Sequence, residues 1–133
     1  MSCFWIGLLN GIKLDDYSII KYNNIGLKPH PAEFVQLLKN INVITPNILW
    51  NDEELIRNQL DENFQAINQL DINSINNGYL CSTFEPFLFL ICELLQITII
   101  HNYINNKIIY KHKTNNRYIL KFKSSDSHFE IDN

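Results

Sequence analysis

QITIIHNYINNKIIYKHKTNNRYILKFKSSDSHFEID, residues 96–132, is where the chain changes its periodicity. ITIIHNYI (97–104) is rich in β-branched residues and reads as a strand. Asn105-Asn106 is a turn, KIIYKHK (107–113) a second strand, and Asn115-Asn116 another turn. RYILKFK (117–123) alternates apolar and polar residues as a third strand. Ser124 to Ser127 is a polar loop, and HFEID (128–132) is a short final strand. Consecutive strands joined by short turns predict an antiparallel meander.

Upstream, the spacing is helical. Phe4, Leu8 and Ile12, with Trp5 and Leu9 beside them, predict a helix over 3–12, with Gly11 at its end. Asp15 and Asp16 suit the start of a second short helix. Pro31 suits a first helical position and AEFVQLLKN continues in register, while Thr45-Pro46-Asn47 is a break. Asn51 with Glu54 forms a capping-box pattern and predicts a helix through Leu70, with Trp50 as a hydrophobic staple. Ser82 with Glu85 repeats the pattern before a run that is apolar all round to Leu95, the mark of a buried central helix. Helices first and an antiparallel sheet last predict an α+β fold, in one domain over residues 1–133.

Composition narrows the function classes. Hydrophobic residues make up 46% of the chain, enough for a core without staples. Cys3, Cys81 and Cys92 are an odd set with no paired spacing, which argues against a disulfide framework and for a reducing, cytoplasmic setting. No CxxC or HxxxH spacing points to zinc, and no cofactor is expected. Net charge is −3, with acids and bases mixed along the sequence, so no nucleic-acid partner is expected. The run Phe84 to Ile100 is broken by Glu85, Pro86, Glu93 and Gln96 and is too polar for a membrane span. The opening lacks the pattern of a signal peptide. The many isoleucines and asparagines read as coding bias from an AT-rich genome.

The residues that could carry chemistry lie near the two ends. Cys3 opens an apolar helix, where unpaired N–H groups and the dipole favour the thiolate. His128 stands at a loop-to-strand junction, rigid enough to serve as general base and then acid. Glu130, two residues on, shares a strand face with it and could orient the imidazole. Singly, each has a plainer reading as a small core residue, a surface histidine or an exposed strand residue.

Cys3-Phe4-Trp5-Ile6 at a helix start resembles the nucleophile helix of papain-like cysteine proteases. Gly78-Tyr79, then TFEPFLFLICELL, then Ile97-Thr98-Ile99-Ile100, and finally Ser127-His128-Phe129-Glu130 sharpen the likeness. Together they resemble the ovarian tumour (OTU) deubiquitinases and the small endopeptidases of tymoviruses and carlaviruses. The resemblance covers the start and roughly the last fifty-five residues, in matching order. It implies a cysteine peptidase acting on peptide or isopeptide bonds after a small-residue tail. Cys3 would be nucleophile, His128 base and acid, and Glu130 the orienting residue. Trp5, Gly78, Tyr79 and Ser127 would line the groove, although Trp5 is expected chiefly to pack in the core. Ubiquitin, a ubiquitin-like modifier or a viral polyprotein would be the partner, met by a monomer in the cytoplasm, the host's if the chain is viral. The family pattern is Asp-Gly-x-Cys, whereas here only Met1 and Ser2 precede Cys3. Either the loop that supplies oxyanion donors is missing, or the chain is excised from a longer polyprotein. The rival reading is a non-catalytic protein-interaction domain on the same fold. His30, His101 and His112 read as structural or surface residues.

Overall fold

The computed structural model describes residues 3–76, 81–124 and 129–132. Helix α1 spans Cys3–Gly11, and a 3-10 segment follows over Leu14–Ile20. Helix α2 spans Pro31–Asn40 with proline in its first turn, where the missing N–H costs nothing. A hairpin of β1 (Ile48–Trp50) and β2 (Glu53–Glu54) precedes α3 (Arg57–Gln69). A second 3-10 segment covers Ile72–Asn76, and α4 runs Cys81–Leu95. The remaining strands are β3 (Thr98–Tyr103), β4 (Asn106–His112), β5 (Ile119–Ser124) and β6 (Phe129–Ile131). The fold is of mixed α and β type, with the helices packed on one side of a single sheet.

Helix α4 is the centre of the core. Phe84, Phe87, Leu88, Phe89, Leu90 and Ile91 are all buried, so its apolar circumference meets protein on every side. It packs on β1, β3 and β4 below and on α3 above. Trp5 from α1 inserts among Phe84, Phe87 and Phe34, with ring centroids 5.2, 5.0 and 6.2 Å away. Gly11 closes α1 because its backbone lies against β5. A Cβ there would sit 3.1 Å from Cζ of Phe122.

Three expectations are corrected. The sheet is not a meander: its order is β2-β1-β4-β3-β5-β6, and β3 pairs with β5 in parallel. The far edge of β4 is occupied by β1, so the chain crosses beneath β3 to reach its other side. That crossing is fastened by Arg117 N–H to the Gln96 carbonyl and Thr98 N–H to the Tyr118 carbonyl, at 2.9 and 3.1 Å.

Asn51 does not cap a helix. Asn51 and Asp52 have φ of 49° and 68° and form the tight turn between β1 and β2. Both residue types tolerate the left-handed region, and such turns suit hairpins. Asn51 also extends the β1–β4 ladder: its Oδ1 accepts from Ile109 N–H, and its own N–H donates to the Ile109 carbonyl, at 2.8 and 2.9 Å. Helix α3 starts later, with Gln59 Oε1 accepting from Ile56 N–H at 2.8 Å.

Ser82 lies inside α4, which already begins at Cys81. Glu85 is turned to the sheet, where its Oε2 accepts from the Tyr110 hydroxyl at 2.6 Å. Burial holds its carboxyl above the usual range, and the hydrogen bond opposes this.

Candidate functional site

Cys3 is the first residue of α1. A backbone position at a helix start is surrounded by N–H groups with no intrahelical partner, the setting that favours an anion. Phe129, the residue after His128, opens β6. Helix α1 packs against β6, and the two are matched at their far ends: Asn10 and Gly11 share a groove with Ile131 and Asp132. His128, Ser127, Gly78 and Tyr79 lie outside the described residues, as do the side chains of Cys3 and Glu130. Position 130 is in register with Lys123 of β5.

At the end of β5 lies a built polar pair. Ser124, the last residue of β5, places its Oγ 2.6 Å from Nε2 of His101 on β3. Both are buried. Desolvation pushes the His101 imidazole down to about 4, so it is neutral near pH 7. The Ser124 carbonyl accepts from Ile104 N–H at 3.2 Å, a second tie on the same residue. On the other side of the strand, Asn102 Nδ2 donates to Oδ2 of Asp132 at 3.1 Å. Both flanks of the 125–128 segment are therefore held to β3. His101 reads as a structural or surface residue in the sequence, and the structure buries it.

Trp5 is wholly buried and belongs to the core, where it has no surface to offer a substrate. Position 5 in a helix falls on the face that α4 covers, so packing takes it. Cys92 is buried too, its Sγ 3.6 Å from the Tyr110 carbonyl, and desolvation pushes its thiol far up. It is chemically quiet. The other two histidines are also accounted for. His30 is exposed at the start of α2. His112 is buried, with Nδ1 accepting from Thr114 and Asn115 N–H and Nε2 3.4 Å from Glu93.

The Gly11 end of α1 carries the open groove of about 350 Å³ that Asn10, Gly11, Leu120, Phe122, Ile131 and Asp132 line. It lies at the opposite end of α1 from Cys3. Nearby, buried Asp16 accepts from Arg117 Nη2 at 2.7 Å and from the Tyr118 hydroxyl. Arg117 Nη1 reaches the Leu95 carbonyl at the end of α4, at 2.9 Å. This network joins the 3-10 segment, α4 and the crossing before β5. Its members are too far apart in the chain for any local pattern to reveal it.

Among the described residues, no cluster of three or more His, Cys, Asp or Glu side chains could hold a metal ion, and no helix is long and apolar enough to cross a membrane. No protein-family model, curated protein or solved structure matches this chain.

Proposed function

We propose that this domain is a thiol hydrolase of papain-like, OTU-like type that cleaves a peptide or isopeptide bond. Cys3 attacks the carbonyl, His128 takes the thiol proton and returns it to the leaving amine, and Glu130 orients the imidazole. The observation that carries the reading is the packing of α1, which starts at position 3, against β6, the strand that follows position 128. Two further features support it. The end of β5 and the residue after β6 are both tied to β3, through Ser124 and Asp132. Cys92 is sequestered in the core, where burial holds it as the thiol. Gly78 and Tyr79 on one side and Ser127 on the other are the groove walls in this reading. They fit a narrow channel for a glycine-ended tail such as that of ubiquitin.

The test is a ubiquitin or peptide probe with an electrophilic C-terminus. Mass spectrometry should find it on Cys3 and on neither Cys81 nor Cys92, and Cys3→Ala should abolish it. Labelling that persists in Cys3→Ala sinks the assignment. A chain that binds ubiquitin but neither reacts with the probe nor cleaves di-ubiquitin fits the interaction-domain reading instead.

A further inference from the structure

Aliphatic side chains that face water are normally scattered singly over a surface. Here they gather. Of the eight large hydrophobics exposed among the described residues, four lie between α1 and α2: Leu14, Ile19, Ile25 and Leu27. Leu14 and Ile19 belong to the outer side of the 3-10 segment, whose inner side buries Asp16, Tyr17 and Ile20. Ile25 and Leu27 belong to a tight turn. Leu27 N–H donates to the Asn24 carbonyl at 3.2 Å, and Gly26 has a φ of 81°, the left-handed value that the third residue of a type II turn requires. A Cβ at Gly26 would meet nothing within 4 Å, so the tip stands clear of the domain. Ile25 is 99% exposed and Leu27 61%.

The base of the projection is braced. Tyr22 packs edge-on against Tyr17, with ring centroids 6.4 Å apart. Its hydroxyl donates to the Lys28 carbonyl and accepts from Asn24 Nδ2, both at 3.4 Å. Lys28 Nζ donates to Oδ1 of Asn10 at 2.6 Å, and Pro29 is buried. Charge follows the same segment. Residues 13–32 hold three lysines, Lys13, Lys21 and Lys28, and two acids. Asp16 is buried against Arg117, which leaves Asp15 as the exposed carboxylate of the stretch, with Glu33 beyond it on α2. Lys21 and Lys28 flank the tip, four residues before Ile25 and three after it. The amide of Asn10 is neutral, so its bond takes no charge away from Lys28.

We propose that this turn docks the domain on an anionic lipid surface. Ile25 and Leu27 enter the boundary between headgroups and acyl chains, the Tyr22 hydroxyl stays at headgroup level, and Lys21 and Lys28 meet the lipid phosphates. The order of groups along the projection favours this occupant: aliphatic at the tip, then a hydroxyl and cations at the base. A bilayer leaflet presents its layers in the matching order, from acyl chains outward to charge. A stable protein interface takes about 800 Å² from each partner, packed round a core. A tip with nothing beside it supplies no such area. With only two side chains inserted, adsorption is weak, reversible and dependent on the anionic lipid. The proposal does not depend on the chemistry of Cys3.

The experiment is co-sedimentation of the full chain with vesicles of phosphatidylcholine alone and of phosphatidylcholine mixed with phosphatidylserine. Partition onto the mixed vesicles should be at least about tenfold stronger than onto the neutral ones, and raised salt should weaken it. Ile25→Asp/Leu27→Asp, at exposed positions whose change leaves the far-UV spectrum intact, should lower that partition by at least about tenfold. Ile25→Trp gives a second readout, since its added emission should move to shorter wavelength on the mixed vesicles as the ring leaves water. Trp5 and Trp50 are common to the native protein and supply the background. Absence of partition, equal partition onto both vesicles, an unaffected double variant, or an emission at position 25 that does not move overturns the proposal. Self-association that the double variant abolishes would assign the tip to a second copy and equally overturn it.

Discussion

Nε2 of His101 and Oγ of Ser124 lie 2.6 Å apart in the interior, and that bond holds the end of β5 from which the chain departs toward His128. A neutral imidazole at the centre of such a tie makes the fold sensitive to acid. Burial holds the folded-state imidazole at about 4, below its ordinary value of 6.5. The unfolded chain therefore takes a proton that the folded chain refuses. His101 leaves stability intact above pH 6.5 and lowers it as pH falls from there to about 4, by up to about 3 kcal/mol. Urea melts at several pH values should show this slope in the native protein. His101→Gln should flatten it. Glu85, held high by burial, acts in the opposite direction and is common to both proteins. Parallel curves for the two would refute the account.

Asp16 is buried and serves two donors, Arg117 and the Tyr118 hydroxyl. Asp16→Ala should cost about 2–3 kcal/mol, since it strands a half-buried hydroxyl and a guanidinium. Arg117 is 41% exposed, so its own contribution is smaller. Arg117→Lys should cost about 1 kcal/mol, chiefly by losing the fork that reaches both Asp16 and the Leu95 carbonyl. Equal midpoints in chemical denaturation for Asp16→Ala and the native protein would count against this network.

At Gly11 two effects compete. Alanine would improve the helix by up to about 1 kcal/mol. Its Cβ, 3.1 Å from Cζ of Phe122, asks the ring to give way. Gly11→Ala should be close to neutral. Gly11→Val, with branches directed at the same ring, should destabilise by about 1–3 kcal/mol through overpacking. Thermal melts of both variants check the ranking, and a neutral valine would show that α1 does not press on β5.

On the thiol-hydrolase reading, His128→Ala should lower the rate of di-ubiquitin or peptide cleavage by about 10²–10⁴-fold. Glu130→Gln should have a smaller effect, and Gly78→Val should block a Gly-Gly substrate while leaving small-molecule alkylation of Cys3 in place. Equal cleavage by Gly78→Val would show that this segment does not gate the groove.

The strands of the C-terminal half were legible because their apolar residues alternate, and α1, α2 and α4 because theirs recur at helical spacing. The hairpin at Asn51-Asp52 was not. Strands of 3 and 2 residues are too short to show a period, and an Asn three residues before a Glu is equally the signature of a cap. The parallel pairing of β3 with β5 was hidden because a short connection normally means antiparallel neighbours. Here the Lys113 to Tyr118 crossing is short enough to mislead. Of the candidate site, sequence located the helix start at position 3 and the strand that follows His128. Trp5 was expected chiefly in the core with a second role lining a cleft, and the helix turns it wholly into the core.

The pairing of α1 with β6 also sets a schedule. The first helix finds its strand only after the last one has been made, and Asp16 waits for Tyr118 across 102 residues of chain. Contacts that distant in sequence form late and slowly, because loop closure must precede any reward. A ribosome releases the chain from its start, so α1 emerges early and stays without its partner until synthesis has passed residue 131. Whatever reactivity position 3 acquires from β6 is then withheld from the nascent chain until residue 131 has emerged. The fold acts as its own timer.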